Sequence, residues 1–201
     1  MKQMIVLVLL AMCFLLLSGM SLLTGKYYLS SFEGKVVDAE TKEPIEGAAV
    51  LAVYFKETFS PAGSNHYAVD AQETLTGTDG QFKIPSKAGR SDDYRGRLDC
   101  NLIIFKPGYG VFPNHRLSSA VGENKSWPPP EKYIVYELPK LKTKDEISRN
   151  AFEIKIDYDL QFNKQKIIIN AVNKEFESLG LLDRYINKKG KPALILKERS
   201  K

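Results

Sequence analysis

Three short glycine-containing segments, each a strand meeting a turn, constrain this chain more than anything else in it. The first runs from Gly34, Val36 and Asp38 through Pro44 to Gly47, Ala48 and Val50. The second is Thr78-Asp79-Gly80-Gln81-Phe82, and the third is Phe105-Lys106-Pro107-Gly108-Tyr109. Proline presets φ, and glycine and aspartate tolerate the positive φ of tight turns, so these segments punctuate extended chain. Their order predicts a small antiparallel β-sandwich.

Between the turns the apolar pattern has a period of two. Phe32 to Ala39 reads as a strand, and Ala48 to Phe55 is apolar on both faces, which predicts a central strand buried on both sides. Lys56 to Gln72 reads as a long polar loop, and Asp79-Gly80 as a hairpin turn leading into Gln81 to Pro85. Ser86 to Asp99 reads as a charged loop, Leu98 to Lys106 as a strand, and 107–131 as a loop that includes Trp127 and three prolines. Lys132 to Leu138 is the last strand of the sandwich. Composition changes after Pro139. Thr143-Lys144-Asp145-Glu146 is a capping box that opens a helix, but Phe152, Ile154, Ile156, Tyr158, Leu160 and Phe162 alternate as a strand does. Helix and strand both remain open for 151–162. Ile168, Ala171, Val172, Glu175, Phe176 and Leu179 form a helical face that stops at Gly180.

At the N-terminus, Lys2 precedes an uncharged run from Met4 to Leu17, and Ser18, Gly19 and Ser21 follow it. A basic start, an apolar run and small residues predict an export signal. With Leu22 and Leu23 the stretch reaches about 20 residues, enough to serve instead as a retained membrane anchor. Both alternatives remain open, and both place the following domain outside the cytoplasm. Cys13 within the run only loosely resembles a lipidation motif, because Met12 is too large for the position before the modified cysteine. The parts are then 1–25 as signal or hydrophobic anchor helix, 32–139 as the sandwich of about seven strands, and 140–201 as a mainly helical extension with a basic tail.

The residues supply little chemistry. Formal net charge is +5 and the lysines cluster toward the C-terminus, yet no basic stripe is interleaved with stacking aromatics, which argues against nucleic acid as partner. Cys100 has no thiol to pair with inside the exported part, so the core alone must hold the domain. His66, Asp70 and Glu73 lack metal-ligand spacing, and in an extended segment Asp70 and Glu73 point to opposite faces. Asp92, Asp93 and Asp99 lack the alternation of a calcium loop. No Gly-x-Ser-x-Gly or phosphate-binding loop occurs. Catalytic, cofactor and metal residues are therefore expected to be none, and His66 and Trp127 are the candidates for ligand contact.

Taken together, Gly34, Val36 and Asp38, then Thr41, Pro44, Gly47, Ala48 and Val50, then Asp79, Gly80 and Phe82, then Lys106, Pro107, Gly108 and Tyr109 resemble the carboxypeptidase regulatory-like domain family. That family has a transthyretin-like, or prealbumin-type, sandwich. The resemblance covers Phe32 to Leu138 and implies an exported accessory module with no peptidase activity of its own. The expectation is a non-enzymatic cell-envelope protein, periplasmic or at the bacterial cell surface, presenting a sandwich for binding or assembly. Its partner is expected to be an envelope protein or polymer, with membrane contact through residues 4–23 if the signal is kept. The alternative is a glycan- or peptide-binding module using the 56–72 and 107–131 loops.

Overall fold

In the computed structural model the strand Ala49–Ser60 (β3) is the centre of the molecule, because both faces of its first half, Ala49 to Tyr54, are covered. The structure describes residues 25–60, 63–91, 96–115, 132–154, 156–157, 160–184 and 186. Before β3 come Gly25–Leu29 (β1) and Phe32–Asp38 (β2). After it come Gly63–Leu75 (β4), Gln81–Ile84 (β5), Lys87–Ser91 (β6), Gly96–Arg97 (β7), Asp99–Phe105 (β8) and Tyr133–Leu138 (β9). Two helices follow, Lys144–Phe152 (α1) and Lys166–Ser178 (α2).

The strands form three sheets with orders β4-β3-β8, β5-β2-β9 and β6-β1-β7. Pairing is antiparallel except for β2 with β9 and β1 with β7, which run parallel. The alternation of β3 explains the layers. Val50, Ala52 and Tyr54 face Val36, Phe82, Ile84, Tyr136 and Leu138 across the sandwich. Ala49, Leu51 and Val53 face the other way, onto Ile168, Ile169, Val172 and Phe176 of α2. The mainly β sandwich with a helical C-terminal extension is therefore what forms, and the extension is a third layer over the two-faced strand.

Several local expectations change. The segment 56–72 is not a loop: β3 and β4 continue as an antiparallel ribbon from Lys56↔Tyr67 to Ser60↔Gly63, held by backbone pairing. Asp79-Gly80 is a turn between sheets rather than a hairpin, since β5 pairs with β2 and not with β4. Within 86–99 lie β6 and β7, both paired to β1, which sits in what reads as a spacer before Phe32. The ambiguity over 151–162 resolves as a helix to Phe152. Beyond it the described chain is irregular until a 3-10 turn at Phe162–Lys164, and Ile154 and Ile156 are both buried. The capping box forms as the sequence predicts: Thr143 Oγ1 accepts from the Glu146 N–H at 3.2 Å and Glu146 Oε2 accepts from the Thr143 N–H at 3.1 Å. Residues 1–24, Trp127 and the basic tail lie outside the described residues.

Candidate functional site

The three sequence motifs converge on one end of the sandwich. Asp38 Oδ1 accepts from the N–H groups of Glu40 at 2.8 Å and Thr41 at 3.0 Å, which closes the turn after β2. The Thr41 N–H, then those of Glu40 and the Tyr109 hydroxyl, hold the Asp38 carboxyl below its ordinary range. Through that hydroxyl the first motif meets the third. Gly80 carries its carbonyl to the Val36 N–H at 2.9 Å, and a Cβ on Gly80 would lie 3.1 Å from the Pro44 ring, so the second motif meets the first. Asp79 Oδ1 caps the Gln81 N–H at 2.9 Å, and Phe82 packs its ring 5.8 Å from that of Tyr136. Lys106 Nζ donates to the Glu46 carbonyl at 2.7 Å, beside Gly47. Gly34 lies so close to β9 that a Cβ would overlap the Ile134 carbonyl oxygen.

This end is tied to the helical layer by two carboxylates. Pro107-Gly108 turns with φ +83° at Gly108, whose N–H donates to Glu175 Oε1 at 2.9 Å. Glu73 on β4 accepts from the Ile167 N–H at 2.8 Å and the Ile168 N–H at 3.1 Å, capping α2 where Gln165 offers no side-chain cap. Burial raises both carboxyls above their ordinary values, against the pull of those N–H donors. These motif residues join the layers to one another, and Gly47, Lys106 and Pro107 also line an open groove of about 770 Å³ against Ile167, Asn170 and Lys174 of α2.

A more apolar opening lies elsewhere, between β3, β8 and the exit of α1. It is a cleft of about 380 Å³. Val53, Phe55 and Ile103 line the sheet side, and Val111, Ile154 and Ile156 lie opposite. Its polar atoms come from Asn101, Asn114, Glu153 and Asp157. Asn114 Nδ2 donates to Glu153 Oε2 at 3.1 Å, which fixes part of that rim. Beside the cleft β8 is an edge strand. Ile104 exchanges both backbone hydrogen bonds with Phe112, at 3.3 and 3.0 Å, and the Leu98 N–H donates to the Tyr28 carbonyl. Cys100 and Leu102 share the outward direction of Ile104, and Leu102 is fully buried, so this edge is covered there.

The residues singled out in the sequence are not gathered here. His66 is exposed on the β3–β4 ribbon, 3.6 Å from Glu57. Asp70 is buried and paired with Lys164 and, at 3.8 Å, Lys87, so it is not beside His66 in a shared site. Cys100 lies on β8 with its thiol raised by burial, so it holds its proton at neutral pH. No group of three or more His, Cys, Asp or Glu side chains suited to a metal occurs among the described residues. None of the described helices is long and apolar enough to cross a membrane. Sequence reasoning missed the cleft because its walls come from four separated segments, and only the paired burial of Ile154 and Ile156 hints at it.

No family model and no curated protein matches the chain. Among solved structures, a 9R-lipoxygenase from Cyanothece PCC8801 is similar over 78% of this chain and 24% of that one, with 14% identity and a TM-score of 0.26. The chain thus spans under a quarter of that protein's length, and so faint a likeness carries no argument about fold or activity.

Proposed function

We propose that this chain is a non-enzymatic, exported cell-envelope accessory protein that uses its sandwich to bind another envelope component. The export signature of residues 2–21 and the resemblance of the turn motifs to carboxypeptidase regulatory-like modules support the setting. The apolar cleft beside the β8 edge is the observation that carries the binding role. Its walls favour an extended peptide segment over a glycan, because most of the lining side chains are apolar, with four polar residues among them. Ile103 sits on the cleft wall and is only partly buried, so Ile103→Arg places a charged side chain in the cleft. In pulldowns from envelope extracts, the native chain retains a partner that the Ile103→Arg chain loses while both show the same unfolding midpoint. Recovery of the same material by both chains, or of nothing by either, refutes the proposal.

A further inference from the structure

The small sheet β6-β1-β7 has one face committed and one open. Leu29 is fully buried and Tyr27 packs against the same core, its ring over Gly89, so the odd-numbered positions of β1 point inward. Lys26 and Tyr28 point outward, and Tyr28 is 52% exposed. Arg90 holds the register position opposite Lys26, and Arg97 that opposite Tyr28. The three strands contain Lys26, Lys87, Arg90 and Arg97 and no carboxylate, and Lys87 is engaged with Asp70. In the sequence, the apolar stretch of residues 4–23 ends at Leu23, and only Thr24 separates it from β1.

We propose that the outer face of β6-β1-β7 is a contact surface for anionic lipid headgroups. The inference rests on the reading of residues 4–23 as a retained anchor. Chain reach sets the geometry. Three residues from Leu23 to Lys26 span at most about 10 Å. If the apolar stretch ends at the hydrocarbon boundary, Lys26 is within headgroup range, and cations there act inside a Debye length of about 8 Å. The inward face cannot turn to lipid, because Leu29 and Tyr27 are in the core. The face that remains carries Lys26 and Tyr28, both exposed, a cation and a tyrosine being residue types that settle at a membrane interface.

The test uses the full chain in nanodiscs of phosphatidylcholine alone or mixed with phosphatidylglycerol, and reads amine labelling of Lys26 by mass spectrometry. Lys142, whose side chain is 74% exposed at the far end of β2 beside Glu40, is the internal control. The proposal predicts that Lys26 labels about five-fold more slowly in the anionic discs, that high salt removes the difference, and that Lys142 labels alike in both. Equal labelling of Lys26 in the two lipids, with the chain in the discs, overturns the headgroup contact and leaves the anchor standing. Failure of the chain to enter discs of either kind overturns the anchor and the contact together.

Discussion

Replacing Glu73 by alanine tests whether the helical extension is a structural layer or an attachment. Glu73 is the tertiary cap of α2, and its carboxylate takes the Ile167 and Ile168 N–H groups at 2.8 and 3.1 Å. A hydrogen bond to a charged group contributes about 1.5–3 kcal/mol. Part of that is offset, since burial raises the carboxyl and the native state therefore bears a desolvation cost at neutral pH. The released N–H groups at a helix start can also take water. The net loss is about 2 kcal/mol. For a chain of this size that lowers Tm by about 4–8 °C. Glu73→Gln keeps one acceptor and removes the desolvated charge, so it is expected to cost far less than the alanine variant. Thermal unfolding followed by circular dichroism measures both variants, and hydrogen exchange at Ile167 and Ile168 localises the effect. If Glu73→Ala leaves Tm within about 1 °C of the native value and the two amides stay protected, the cap and the argument built on it are wrong.

Asp38→Ala removes the acceptor shared by Glu40, Thr41 and Tyr109 and is expected to cost about 1–2 kcal/mol, read from the urea midpoint. Gly34→Ala forces a methyl group onto the Ile134 carbonyl and is expected to cost about 2–3 kcal/mol, whereas Gly108→Ala, with φ +83° and open space around it, costs about 1 kcal/mol in the same assay. The pH dependence has a definite sign. Glu73 and Glu175 bind protons more tightly when folded, so their contribution to stability grows as pH falls through their raised folded values toward 4.5. The depressed Asp38 acts oppositely: its contribution is present above pH 3.8 and is lost as pH falls through its folded value. The Glu73→Gln, Glu175→Gln double variant should lose the first trend in urea titrations across pH, and a native-like profile in that variant would contradict the assignment.

The sequence was most legible where local chemistry and tertiary packing agree. The two apolar faces of 48–55 announce a strand between two layers, and Thr143 with Glu146 announces a helix start, because both signals are set within a few residues. The ribbon of 56–60 and 63–67 is hidden because polar residues outnumber apolar ones in it and set no period of two, and backbone pairing reveals it. β1, β6 and β7 are short and charged, so they carry little apolar period. The alternation after Phe152 leaves helix and strand open for a physical reason: Ile154 and Ile156 bury themselves against the helical layer in chain that is neither. The cleft depends on residues 53, 103, 111 and 154 meeting in space, a relation that no spacing along the chain encodes.

The binding role can be examined by placing a photo-crosslinking residue at Asn101, at the cleft mouth, and a second at Gln81 on the other sheet, in cells that produce the protein. The account predicts an adduct from position 101 that maps to an extended segment of one envelope component, with none from position 81. Equal adducts from both positions, or none from 101 while the chain is folded, would contradict it.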